Sequence, residues 1–183
     1  MATRRIHFSI VLCPLGSLLV AATERGVCNI RLGATAALLE AGLRTEFPFA
    51  AITRDDAGLA DWATALVRVS EGRAPGLELP LDVPASRFRS RVWETLRAVP
   101  LGQTRTYAEV ASALGRPRAA RAVGQACAAN PVALWVPCHR VVPAAGGPGG
   151  YRWGTERKRA LLRAESRHAG ALQDPCPSGV GAR

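Results

Sequence analysis

Lysine is almost missing from this sequence: Lys158 is the single lysine among 24 basic side chains in 183 residues. No apolar run approaches the roughly 20 residues that a membrane-spanning helix requires. The opening stretch, "MATRRIHFSIVLCPLG", has too short an apolar segment for a secretory signal and no cleavage-site pattern, so a cytoplasmic protein is expected. Cysteine is sparse and unpaired in pattern. Cys13, Cys28, Cys127, Cys138 and Cys176 make an odd count with no Cys-x-x-Cys, which argues against a disulfide framework and a structural zinc site. Free thiols are expected, with no metal or other cofactor.

Acidic residues are also scarce, but only in one half. Residues 1–84 carry 8 arginines against 9 acidic side chains, whereas residues 85–165 carry 14 basic against 4 acidic ones. Coding bias explains arginine over lysine; it does not explain that asymmetry. Positive charge gathered on one stretch is the footprint of a polyanion, with nucleic acid the leading partner.

What is present divides near Pro84. Three apolar, β-branched segments, Ile6 to Cys13, Ser17 to Thr23 and Val27 to Leu32, are separated by "PLG" and "ERG" turns and read as an antiparallel meander. Two helices follow, about Thr35 to Phe47 and Ala57 to Glu71, and then the proline-rich linker "RAPGLELPLDVP". A helix from Ser86 places Phe88, Val92, Leu96 and Val99 on one face. Thr106-Tyr-Ala-Glu109 has capping-box spacing, opening a short helix that Gly115 and Pro117 stop. A second helix, about Arg118 to Ala129, completes a helix-turn-helix with Arg118, Arg121 and Gln125 on one face. A strand from Ala133 to Val136, the loop "PAAGGPGGYRWG" and a basic helix from Thr155 to Ser166 come next. The fold class is therefore α+β, a small N-terminal α/β domain followed by a mostly helical one. Residues 167–183, Cys176 among them, have little to bury and are expected to be disordered.

"WVPCHRVV" is the segment richest in chemistry. Cys138 stands beside His139 and Arg140, cationic or hydrogen-bonding neighbours of the kind that stabilise a thiolate. Adjacent residues of an extended chain point to opposite faces, so His139 would reach the sulfur only across a turn or through water. Glu165, amid basic residues on the last helix, is a candidate to orient His139. From these residues alone a buried structural thiol is the better reading, since cysteine is among the most buried residue types.

The run "GRPRAARAVGQACAANPVALWVPCHRVV", with "GGYRWG" and "KRALLRAE" after it, resembles the O6-alkylguanine-DNA alkyltransferases, the methylated-DNA–protein-cysteine methyltransferases. The likeness is specific over about residues 86 to 166. More loosely, "ERGVCNIRLG" and "LPLDVP" are similar to the alkyltransferase half of the bacterial adaptive-response regulator, whose four-cysteine zinc domain has no counterpart here. The resemblance implies a ribonuclease H-like α/β domain with linker over 1–84 and a DNA-binding and active-site domain over 85–166. It implies a monomer that acts on double-stranded DNA carrying O6-alkylguanine, and on O4-alkylthymine, moving the alkyl group irreversibly to Cys138. His139 would take the thiol proton through water, and Glu165 would hold its tautomer. Asn130 would tie the turn before the active-site strand, and Tyr107 would hydrogen-bond the purine. Arg121 would fill the gap left by the extruded nucleotide. Ala119, Ala120, Ala122 and Gly124 would let their helix approach the minor groove, beside Arg118 and Gln125. Tyr151, Arg152, Val141, Trp135 and Cys127 would line the pocket. Pro143, Ala145, Gly147 and Pro148 depart from the family's usual loop. Two rival readings are a helix-turn-helix regulator with a structural cysteine and a cysteine hydrolase, the latter without an evident oxyanion-stabilising arrangement.

Overall fold

Alternation of large apolar residues in the first third of the chain builds a sheet buried on both faces. A computed structural model describes residues 4–173, and in it β1 (Arg5–Cys13), β2 (Gly16–Thr23) and β3 (Gly26–Gly33) form the expected meander. Its second turn needs glycine: Gly26 has φ +141°, and a Cβ there would meet the Pro80 carbonyl oxygen at 2.5 Å. α1 (Ala36–Glu46) starts at Thr35, whose hydroxyl accepts the Leu38 amide. β4 (Ala51–Arg54) then pairs parallel to β1, giving the order β3-β2-β1-β4. This edge strand was not expected, because four residues are too few for a period-two pattern to register. α2 (Ala60–Ser70) follows.

The sheet's two faces bury different things. Ile6, Phe8, Leu19, Ala21 and Cys28 pack on Leu39 and Leu43 of α1. Leu18, Val20, Val27 and Ile30 face the other way, into a core that includes Leu66 of α2 and continues through Val92, Leu96, Val110, Val123 and Cys138. The chain's two halves thus share one core. Pro84 lies in the extended segment between them.

α3 (Arg87–Arg97) starts at its Ser86 cap. β5 (Arg105–Thr106) leads into α4 (Tyr107–Ala113), where Thr106 and Glu109 form the expected capping box. A 3-10 turn, Pro117–Ala119, precedes α5 (Ala120–Ala128). Trp93 of α3 donates its indole N–H to Ala126 O at 3.0 Å, fixing the end of α5. β6 (Val141–Val142) pairs parallel with β5, and α6 (Thr155–Gln173) closes the described chain.

α6 runs seven residues past the helix end expected at Ser166, so 167–173 are helical rather than tail. The remainder of the expected tail, with Cys176, lies outside the described residues. Gly72, with φ +80°, lets α6 come close: a Cβ on it would lie 2.6 Å from Ala164 O and from Glu165 N. Gly72→Ala should therefore push α6 away or strain the turn, at about 1–3 kcal/mol of overpacking cost. Thermal unfolding should show a Tm lowered by several degrees. An unchanged Tm would mean that the helix backs off freely.

Candidate active site

The segment expected as a strand from Ala133 to Val136 is a tight turn instead. Only Val132 bridges the sheet, against Ile30, with Ile30 N donating to Pro131 O and Ala133 N to Ile30 O. Proline at 131 and 137 removes two ladder donors, and the Asn130 side chain replaces the lost ladder. Its Oδ1 accepts the Val132 amide at 3.0 Å and its Nδ2 donates to Val136 O at 2.9 Å. Val136 N closes back to Val132 O, and Leu134 is forced to φ 68°, a conformation that costs a side chain about 1–2 kcal/mol. The same Nδ2 lies 3.3 Å from Cys138 Sγ, so Asn130 ties turn and thiol together.

Cys138, His139 and Arg140 form one 3-10 turn. That curl, rather than an extended strand, sends His139 behind the sulfur's wall and toward α6. His139 Nε2 lies 2.7 Å from Glu165 Oε1, and both side chains are wholly buried. Arg140 does not flank the sulfur as its position in sequence suggests. Its guanidinium clasps Glu165 through Nε at 2.9 Å and Nη2 at 3.0 Å, and donates to Val99 O at 2.7 Å. Gly102 N adds a bond to Glu165 Oε2 at 3.2 Å.

These contacts set the protonation states. Burial pushes the Glu165 carboxyl up, but the hydrogen bonds and charges of His139 and Arg140 outweigh it and hold it at about 2. Burial lowers the His139 pKa, prevailing over the Glu165 contact that would raise it. The imidazole is then neutral, with Nε2–H donating to Glu165 and Nδ1 left as the acceptor. Nδ1 is buried and has no hydrogen-bond partner among the described residues. Burial likewise pushes the Cys138 thiol up, against the Asn130 bond and the Lys158 ammonium that pull it down. At rest the sulfur is a thiol.

Cys138 opens on a cavity of about 240 Å³ lined by Tyr107, Gly124, Cys127, Ala128, Gly150, Tyr151 and Arg152. The parallel β5–β6 pair brings this about, because Tyr107 follows β5 directly and only two residues separate Cys138 from β6. Cys127, Tyr151 and Arg152 thus stand where the pocket reading expects them. Trp135 and Val141 do not. Trp135 lines a separate cavity of about 310 Å³, stacked under the Arg97 guanidinium, because the turn at Leu134 aims it away from the thiol. Val141 is fully buried in the β5–β6 pair, and its carbonyl accepts from Lys158. Lys158, to which the sequence reading gave no role, is fully buried and bonds Val141 O at 2.6 Å and Gly150 O at 3.3 Å, pinning the glycine-rich loop. Its signal was available: it is the lone lysine of an arginine-rich chain.

On α5 and the turn before it, Arg118, Arg121 and Gln125 are exposed, while Ala119, Ala120, Ala122 and Gly124 are half-buried. The Gly124 backbone faces the Tyr107 ring. Arg121 thus projects from the helix that forms one wall of the Cys138 cavity.

Fold and site together define a protein with a thiol at a carboxylate-backed histidine, set behind a basic helix-turn-helix. Residues 87–167 match the family described as 6-O-methylguanine DNA methyltransferase, DNA binding domain. The chain is 38% identical over 167 residues to a methylated-DNA–protein-cysteine methyltransferase of Mycobacterium tuberculosis, covering 91% of this chain and 96% of that protein. It is 42% identical over 161 residues to the bifunctional transcriptional activator/DNA repair enzyme Ada of Escherichia coli, which covers 88% of this chain. It spans only 46% of that protein's length. The crystal structure of Mycobacterium tuberculosis OGT in complex with DNA superposes with a TM-score of 0.73 at 36% identity, over 88% of this chain and 93% of that one. The chain belongs to the methylated-DNA–protein-cysteine methyltransferase family. No helix among the described residues is long and apolar enough to cross a membrane.

Proposed function

We propose that this protein repairs DNA by direct reversal, moving a methyl or other alkyl group from O6-alkylguanine, and from O4-alkylthymine, in duplex DNA to Cys138. The observation that carries this reading is the buried His139–Glu165 pair beside a thiol that opens on a cavity of about 240 Å³. A merely structural cysteine in a regulator needs no such pair. The protein acts in the cytoplasm as a monomer, with residues 1–84 as the supporting domain and 85–166 as the DNA-binding and reacting one.

The target carbon lies inside the base stack, so the nucleotide is extruded first, at a few kcal/mol, offset by backbone contacts. Arg121 on the exposed face of α5 fills the gap, while the small residues around it allow close approach to the minor groove and Arg118 and Gln125 contact the backbone. Tyr107 donates to the purine. His139 Nδ1 takes the thiol proton through a water, Sγ attacks the alkyl carbon, and the C–O6 bond breaks with its electron pair on the purine, which is protonated as it leaves. The thioether is stable. Each molecule therefore acts once.

Incubation with duplex O6-methylguanine DNA should add one methyl group per protein, on the Cys138 peptide, as read by mass spectrometry; Cys138→Ala should add none. Repeated turnover, or repaired DNA with unmodified Cys138, would sink the reading. The single-turnover rate should stay flat from pH 8 to pH 7, because burial holds His139 below the usual histidine value of about 6.5 and keeps it neutral over that range. A rate that instead climbs tenfold per pH unit would show attack by free thiolate without a base. Binding should also weaken steeply between 50 and 200 mM salt, by about 10³-fold if six phosphates are contacted.

A further inference from the structure

Among the described residues Arg152 is the one charged side chain lining the cavity of Cys138. Its side chain keeps 38% of its surface exposed and is held from two sides. Nη1 donates to Asn130 O at 3.3 Å, and Nη2 lies 3.6 Å from Glu46 Oε2 at the end of α1. Its guanidinium also lies 5.8 Å from the centre of the Trp153 ring. Glu46 is anchored in turn by Arg31 and by Asn29 Nδ2 at 3.2 Å. Two arginines share that carboxylate, so the cluster presents a net positive charge to the cavity. Among the described residues no acidic side chain lines the cavity, and Glu165 is neutralised by Arg140 behind it.

A fixed cation in a wall that is otherwise apolar or hydroxylic discriminates among the groups brought to the thiol. A methyl group gains nothing from it. We infer that Arg152 makes the acceptor cavity selective for alkyl groups bearing a carboxylate, of which a carboxymethyl group on guanine O6 is the smallest. The inference rests on the transfer reading above and names the substrate class that this site favours. In such an adduct the carboxylate is bonded to the carbon that Sγ attacks, so it enters the same cavity as the guanidinium, whose forked N–H donors suit it. The Sγ–C bond forms and the C–O6 bond breaks with its electron pair on the purine. The thiol proton passes by way of His139 to the departing guanine, leaving S-carboxymethylcysteine and guanine. No other reactant is required.

Two duplexes of one sequence, one with O6-methylguanine and one with O6-carboxymethylguanine, test this in single-turnover reactions read by intact-protein mass. The quantity of interest is the ratio of the two transfer rates within each protein, so that partial loss of folded material cancels. Arg152→Gln should lower the carboxymethyl-to-methyl ratio by about tenfold, the size of one charge-assisted hydrogen bond. Arg152→Lys should keep most of the ratio, since the charge remains. An unchanged ratio in Arg152→Gln would overturn the inference. So would an equal loss with both duplexes, which would place the guanidinium on the leaving guanine rather than on the adduct. If the wild-type protein took an alkyl group from neither duplex, the transfer reading itself would fall.

Discussion

Glu165→Gln should slow alkyl transfer to Cys138 by about 10²- to 10⁴-fold, the range that a positioned general base contributes. The carboxylate does two things at once. It accepts the Nε2–H of His139, leaving Nδ1 basic, and it would stabilise the imidazolium formed when the thiol proton arrives. Glutamine can still accept that N–H but offers no charge. The same substitution strands Arg140, whose guanidinium is nearly buried and has Glu165 as its anion. Breaking a buried pair from one side costs about 3–5 kcal/mol.

The pH dependence of that loss has a definite sign. The folded protein holds Glu165 at about 2, below its ordinary 4.5, so the stability it contributes is complete above about 4.5 and disappears as pH falls toward 2. Wild type and Glu165→Gln should therefore differ most in denaturant unfolding near neutrality and converge in acid. Equal stabilities at pH 7, or an undiminished transfer rate, would show that the buried carboxylate is not what organises the site.

Asn130→Ala should have the next largest effect. The side chain is fully buried and its amide holds the Val132 amide, the Val136 carbonyl and the Cys138 sulfur. Alanine would leave two buried backbone groups unpaired, at about 1–3 kcal/mol each. The turn would lose what forces Leu134 to positive φ, and Cys138 would no longer sit at a fixed place in the cavity. A fall in Tm together with a transfer rate at least tenfold lower is expected, consistent with the sensitivity of displacement chemistry to small misplacements. A variant that melts early yet transfers at the wild-type rate would limit Asn130 to packing.

Much of the architecture was legible in the chain. The meander, the Thr106 capping box and the Gly115–Pro117 break between α4 and α5 depend on neighbours a few residues apart, and local periodicity and turn chemistry report them well. The pairing of His139 with Glu165 was legible too, because one acidic residue amid a basic helix stands out. The turn at Asn130–Val136 was not. Val, Ala, Leu and Trp in a row favour a strand, and only the reach of the Asn130 amide across six residues, with β3 as a backstop, overrides that preference. Trp135 was consequently placed in the wrong cavity.

Lys158 and Arg140 teach a related lesson. Arg140 stands near the thiol in sequence and Lys158 does not, yet both bond carbonyls or a carboxylate that other segments supply.

By itself, then, the sequence determined the α+β class and most of the order of elements, the basic half and the presence of a cysteine next to a histidine with a carboxylate in reserve, since each follows from spacing and composition. Tertiary structure alone decided which face of the turn the sulfur occupies, which cation reaches which acceptor, and that Arg152 is held at the cavity by Glu46 from the other half of the chain. Those depend on contacts between segments from 17 to more than 100 residues apart, where no local pattern carries the information.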